Sequence, residues 1–219
     1  MLKFRNLTIL GTSHIAKESV RDVERAIAKK KPDMIAIELD LARYRAIVSQ
    51  KKALHRFKKL DFKTFIINYI GAYAEKSLGK QTGIKPGTEM KTAIKLAKIN
   101  KIPLFLIDQP INITLRKLSQ ITRKEKITLI KDFFITIFKK GNISFDLNKV
   151  PSKKIINSLI KETRERYPTV YKVLVEERNV YMAKALYEIM NKFPSKEILA
   201  IVGAGHESEI IGELKSIKN

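Results

Sequence analysis

Two copies of Gly-x-x-His stand at the ends of apolar runs in this chain. Leu7-Thr8-Ile9-Leu10 leads into Gly11-Thr12-Ser13-His14, and Ile198-Leu199-Ala200-Ile201-Val202 leads into Gly203-Ala204-Gly205-His206. Between them, Met34-Ile35-Ala36-Ile37 stops at Glu38, and Ile102-Pro103-Leu104-Phe105-Leu106-Ile107 stops at Asp108. Imidazole nitrogens and carboxylate oxygens are the donors that divalent ions take in hydrolytic sites, with one position left to water. Of only three histidines in the chain, two occupy these matching turns. His14, His206 and Glu38 are the expected metal ligands, with Glu38 the general base if it does not ligate.

The neighbouring polar residues sort by the same logic. A carboxylate at the end of a buried run is costly without a partner, which favours Glu38 over Asp40, a reserve ligand that could equally cap the next helix. Asp108 is a ligand, a partner that orients an imidazole, or the start of the turn at Gln109-Pro110; orienting is ranked first. Arg43, Arg116 and Arg178 are the arginines placed to reach the same edge, where one could hold a substrate carboxylate or an oxyanion. Glu89 reads as a first-turn charge suited to its helix dipole. His55, in a basic stretch without acidic neighbours, reads as a surface residue. Ser13 is adjacent to His14, where side chains diverge, so a serine–histidine dyad is not expected. Gly203-Ala204-Gly205 is a weak phosphate signal, lacking the further glycine or lysine of the nucleotide motifs.

These residues meet only if their strands are neighbours. Strand 6–11, a helix from about Lys17 to Lys30 and strand 33–39 form a β-α-β unit, which demands parallel strands and a right-handed crossover. A helix follows from Leu41, another segment over 61–79 looks helical, and a helix opens at Thr88 and leads to strand 102–107. Helices are expected over 112–119, 123–139, 152–165 and 169–191, with breaks at Gly141-Asn142 and Tyr167-Pro168. Strand 197–202 and a helix from Glu207 to Lys215 close the chain. The fold class is α/β: a central, mainly parallel sheet of at least four strands, flanking helices, and a large helical insert, about 112–192, before the last strand. The insert is expected to cap the strand ends and exclude water. No linker divides residues 1–219, so one domain is expected, with the site at the carboxyl ends of the strands.

Composition bounds the rest. The chain has 219 residues, 44 Lys+Arg against 22 Asp+Glu, and a formal charge of +22. The absence of cysteine excludes disulfides, thiolate catalysis and thiolate-bound zinc. The N-terminus runs straight into a strand and no apolar stretch reaches the roughly 20 residues of a bilayer span, so a cytoplasmic protein is expected. The charge is that of a lysine-rich solvated surface, with peripheral attraction to anionic membrane or an acidic partner as the next reading. Basic residues are scattered, so nucleic-acid contact is expected to be nonspecific and steeply salt-dependent.

The ordered segments Leu10–His14, Pro32–Leu39 with Arg43-Tyr44, Pro86–Met90, Leu106–Asp108 with Thr114-Leu115-Arg116, Glu177-Arg178 with Met182-Ala183, and Val202–His206 resemble the TraB/PrgY pheromone-shutdown family. That family is related to the Tiki metalloproteases and the erythromycin-esterase-like fold. The resemblance implies a metal-dependent hydrolase, of the peptidase kind, using both Gly-x-x-His histidines and the strand-end glutamate. Manganese, cobalt, zinc and iron all suit such donors. It implies a peptide or small-molecule substrate; the alternative is a non-catalytic protein that sequesters a peptide, haem or metal. Self-association is left open. Gln109 departs from the arginine expected after the aspartate, and membrane-spanning helices common in the family do not follow within these residues.

Overall fold

A computed structural model describes residues 1–13, 17–49, 87–138 and 152–217. His14, His55, the helix expected over 61–79 and the break at Gly141-Asn142 lie outside the described residues. In chain order the elements are β1 (Leu2–Phe4), β2 (Leu7–Thr12), α1 (Lys17–Lys30), β3 (Met34–Ile37), α2 (Leu41–Val48), α3 (Thr88–Ile99), β4 (Leu104–Leu106), α4 (Ile111–Leu118), α5 (Arg123–Phe138), α6 (Lys153–Arg166), α7 (Pro168–Tyr171), a π-helical turn (Lys172–Glu176), α8 (Glu177–Lys192), β5 (Ile198–Gly203) and α9 (Glu207–Ile217).

The five strands form one sheet in the order β1-β2-β5-β3-β4. β2, β5, β3 and β4 are parallel, as the β-α-β reading requires; β1, which the sequence reading did not separate, pairs antiparallel with β2. The last strand thus enters between the first two of the parallel set. Gly203 lies level with Thr12, and Ile201 level with Ile37.

Strands covered on both faces should be apolar throughout, because alternate side chains enter opposite layers. β5 does this. Leu199 and Ile201 join Val23, Ala26 and Ile27 of α1 with Met90, Ala93 and Ala97 of α3. Ile198, Ala200 and Val202 join Met182, Ala183, Leu186 and Met190 of α8 with Ile210 and Leu214 of α9. Each fully buried leucine or isoleucine contributes about 1.5–3 kcal/mol by leaving water.

The helical insert departs from the expectation of a cap alone. α8 carries an apolar stripe, and that stripe makes it one layer of the sandwich. Leu118, Ile121, Val170 and Val173 form a separate small core beside it. The single helix expected over 169–191 is interrupted by the π-helical turn, where Glu177 N–H reaches back to the carbonyl of Lys172.

Candidate functional site

The sheet ladder continues past the strand ends and places the site. Glu38 N–H donates to Ile201 O at 3.1 Å, and Asp108 N–H donates to Leu39 O at 3.3 Å. Glu38 therefore sits beside the end of the central strand, and Asp108 beside Glu38. On the other side Ala204 N–H donates to Thr12 O at 2.8 Å, fixing the second Gly-x-x-His turn against β2. This approach is close: a Cβ on Gly11 would lie 3.0 Å from Ala204 Cα and 3.3 Å from a Glu207 oxygen. A side chain there would require the facing turn to give by a few tenths of an ångström. His206 then precedes the first turn of α9, its carbonyl accepting from Ile210 N–H at 2.9 Å.

Arg178, from the first turn of α8, is the centre of the cluster. Its Nε and Nη2 donate to Asp108 Oδ1 and Oδ2 at 3.0 and 2.6 Å. Nη2 also donates to Glu38 Oε1. Nη1 donates to Leu174 O at 3.0 Å and lies 3.4 Å from His206 Nε2. The π-helical turn supplies that carbonyl, an instance of the wide turn occurring beside a polar cluster. Burial works against the guanidinium charge, yet the hydrogen bonds and charges of Asp108 and Glu38 raise its pKa.

Glu38 is held at both ends. Its Oε2 accepts from Gly203 N–H at 2.5 Å, and its Oε1 lies 3.5 Å from His206 Nε2. A 3.5 Å separation is what two donors bound at about 2.0–2.2 Å to one tetrahedral ion would show. Asp108 is different. Oδ1 accepts from Arg178 and from Gln109 N–H at 2.7 Å, and Oδ2 accepts from Arg178 and from Arg43 Nη2 at 2.7 Å. Its oxygens face two guanidinium groups. Asp108 thus orients two arginines, and among the described residues no hydrogen bond joins it to an imidazole.

Arg43 continues the ladder to Asp40, whose Oδ1 accepts from Arg43 N–H at 2.8 Å and from Nε at 3.2 Å. Asp40 caps α2 and also accepts from Ile111 N–H at 2.5 Å at the start of α4. Burial raises its carboxyl, but the backbone N–H groups of Arg43 and Ile111 and the Arg43 charge outweigh it, so its pKa is lowered. Asp40 acts as a cap. Gln109 turns away to Thr114, donating through Nε2 at 3.0 Å. Arg116 is exposed on α4, and among the described residues no hydrogen bond or ion pair links its side chain to this cluster. Glu89 lies in the first turn of α3, as expected, and is buried there.

Sequence reasoning missed a second chain of groups behind His206. Its Nδ1 lies 2.5 Å from Asn179 Oδ1, Asn179 Nδ2 donates to Glu209 Oε2 at 2.5 Å, and Tyr171 OH donates to Glu209 Oε1 at 3.0 Å. Burial first, then the bond to Glu209, pushes the Tyr171 phenol up to about 12. The signal was legible in principle. Asn179 falls on the stripe of Met182, Ala183, Leu186 and Met190, where a polar residue needs a partner.

Among the described residues, no three His, Cys, Asp or Glu side chains gather into a metal-holding group. The pair Glu38–His206 is present, and the third expected donor, His14, lies outside the described residues. No helix among the described residues is long and apolar enough to cross a membrane.

The sequence profile of the TraB/PrgY/gumN family matches residues 3–216. An uncharacterized protein of Methanocaldococcus jannaschii is 35% identical over 223 residues, covering 98% of this chain and 54% of its own length. A TraB domain-containing protein of Mus musculus is 23% identical over 229 residues, covering 90% of this chain and 60% of its own. The Homo sapiens protein of the same name shows the same identity and coverage. The chain thus spans little more than half the length of these relatives.

Proposed function

The chain belongs to the TraB/PrgY/gumN family, and from that premise we propose that it is a metal-dependent hydrolase acting on peptides. The observation that carries the reading is the pairing of Glu38 Oε1 and His206 Nε2 at 3.5 Å on one buried rim, brought together by adjacent parallel strands. The donor set suits a divalent ion held by Glu38 and His206, with His14 as the third ligand expected from the matching turn. Bound there, such an ion would polarise a scissile carbonyl and lower the pKa of a coordinated water. Manganese, cobalt, zinc and iron remain equivalent on this donor set.

The chain's own residues divide the remaining work. Gly203 N–H holds Glu38 Oε2, so Oε1 is the oxygen turned toward the imidazole. Arg178 donates to that same oxygen, so a cation competes with it there, while its two bonds to Asp108 are independent of the competition. Kept in place by Asp108, the guanidinium stands beside the reacting centre as a donor for an oxyanion. Arg43, on the outer side of Asp108 and partly exposed, is placed to meet a substrate carboxylate. The peptide class comes from the family resemblance alone.

The test is metal content and peptide cleavage measured together on wild type, His206→Ala and His14→Ala. The reading expects bound metal and cleavage in wild type and loss of both in each variant. Metal without cleavage makes the chain a binding protein. Cleavage that survives chelation and both substitutions overturns the proposal.

A further inference from the structure

We propose that Glu209 sets the tautomer of His206 through Asn179, keeping the proton on Nδ1 and the lone pair on Nε2. A histidine's tautomer is fixed only by what each ring nitrogen meets, and a carboxamide can present either end. Here the ambiguity is removed from outside. A carboxylate only accepts, and Glu209 takes Asn179 Nδ2 at 2.5 Å on one oxygen and Tyr171 OH at 3.0 Å on the other. With its nitrogen committed, Asn179 must turn its oxygen to His206 Nδ1, 2.5 Å away. A carbonyl oxygen cannot donate, so Nδ1 carries the hydrogen.

The opposite edge of the ring agrees. Arg178 Nη1, 3.4 Å from Nε2, can only donate, which suits a lone pair on that nitrogen. Glu38 Oε1 is the opposing influence, an acceptor 3.5 Å from Nε2; that is long for a hydrogen bond, and the oxygen is already paired with Arg178. The carboxamide oxygen at 2.5 Å is the shortest of these contacts to the ring, and it places the proton on Nδ1.

The consequence is directional. Nε2, and not Nδ1, is the nitrogen offered toward Glu38, and its orientation is held by α8 and α9, which pack together. The value of this arrangement to catalysis rests on the hydrolase reading, because a ligating imidazole is strengthened when its other nitrogen donates. The tautomer itself does not. Asn179 and Glu209 are positioning residues: neither touches the proposed reacting atoms.

The experiment reads the imidazoles directly, by long-range proton–nitrogen correlation on uniformly labelled, metal-free protein, with His206→Gln used to assign the His206 ring. Wild type should show a pyrrole-type Nδ1 and a pyridine-type Nε2. Glu209→Leu frees the amide to rotate and should shift Nδ1 toward the pyridine type. Glu209→Gln, which can still accept from Asn179 while donating to the Tyr171 oxygen, should restore the wild-type pattern. Asn179→Leu, which removes the acceptor, gives a second route to the same loss. A proton on Nε2 in wild type overturns the inference even where neither leucine variant folds. So does a folded Glu209→Leu protein with unchanged shifts. Because the sample is metal-free and no turnover is read, failure of the hydrolase proposal leaves this result standing, and the reverse holds too.

Discussion

Arg178 and Asp108 face each other as fork to fork, Nε to Oδ1 at 3.0 Å and Nη2 to Oδ2 at 2.6 Å, although seventy residues of chain separate them. The Asp108 side chain is 0% exposed and that of Arg178 is 14% exposed. A bidentate pair of this kind is strong and directional. It ties the helix that forms one layer of the sandwich to the turn after β4, and so holds the site's two halves in register. Truncating one partner leaves the other charge buried, and that penalty exceeds the net worth of the pair. Arg178→Ala should therefore cost about 3–5 kcal/mol in denaturant unfolding. Arg178→Lys keeps the charge but cannot supply two parallel donors, so it should fall between. An alanine variant as stable as wild type would mean that Asp108 is satisfied by Arg43 and Gln109 alone.

Glu38→Gln separates the charge of this residue from its shape. The substituted carboxamide can still accept from Gly203 N–H through its oxygen, but its nitrogen then meets Arg178, donor against donor. The expected result is a folded protein with reduced affinity for a divalent ion and peptide cleavage lowered by about 10²–10⁴, the range for a lost proton acceptor. Calorimetric metal titration beside a cleavage assay checks it. Unchanged cleavage would move the chemistry away from this rim.

The strand ends were legible because buried parallel strands are apolar on both faces, and a break in such a run has to be a turn. That argument reached Glu38, Asp108 and His206. The order of strands was not legible. Only the hydrogen bonds of β5 to both β2 and β3 reveal that the last strand is the central one. The arginines show the same limit. Three lay near the edge in sequence, and helix phase decides among them: Arg178 turns inward on α8 while Arg116 on α4 faces solvent. Asp40 was open between a reserve ligand and a helix cap, and its backbone N–H partners make it the cap, while Asp108 meets backbone N–H and guanidinium groups that no local pattern in the sequence announces. The relay of Asn179, Glu209 and Tyr171 draws on two helices whose packing no local pattern predicts.

Gly11→Ala tests the closeness of the two turns. The added methyl would meet backbone, Ala204 Cα at 3.0 Å, and backbone cannot rotate aside as a side chain can. Overpacking of this kind costs about 1–3 kcal/mol. Because Ala204 lies two residues before His206, the strain should also displace the imidazole. The expected signature is a lowered unfolding midpoint together with weakened divalent-ion binding. Loss of stability with binding intact would confine the strain to β2.

Asp40 is a carboxyl that links stability to pH on the acid side. Its folded pKa is lowered, against burial, by the N–H groups of Arg43 and Ile111 and by the Arg43 charge. A carboxyl depressed in the folded state stabilises the fold above its ordinary value of about 3.9, and that contribution is lost as pH falls through the lower folded value. Stability should therefore decline on acidification below about pH 4. Asp40→Asn keeps one acceptor oxygen and loses the charge, so it should be less stable at neutral pH, as a weakened cap and a lost ion pair require. It should also show a shallower decline in acid. Urea midpoints for both proteins, measured across that acid range and at neutrality, give the comparison. Parallel acid limbs would assign the loss to other carboxylates, with Asp33, whose pKa is also lowered through its bond from Glu197 N–H, the next to replace.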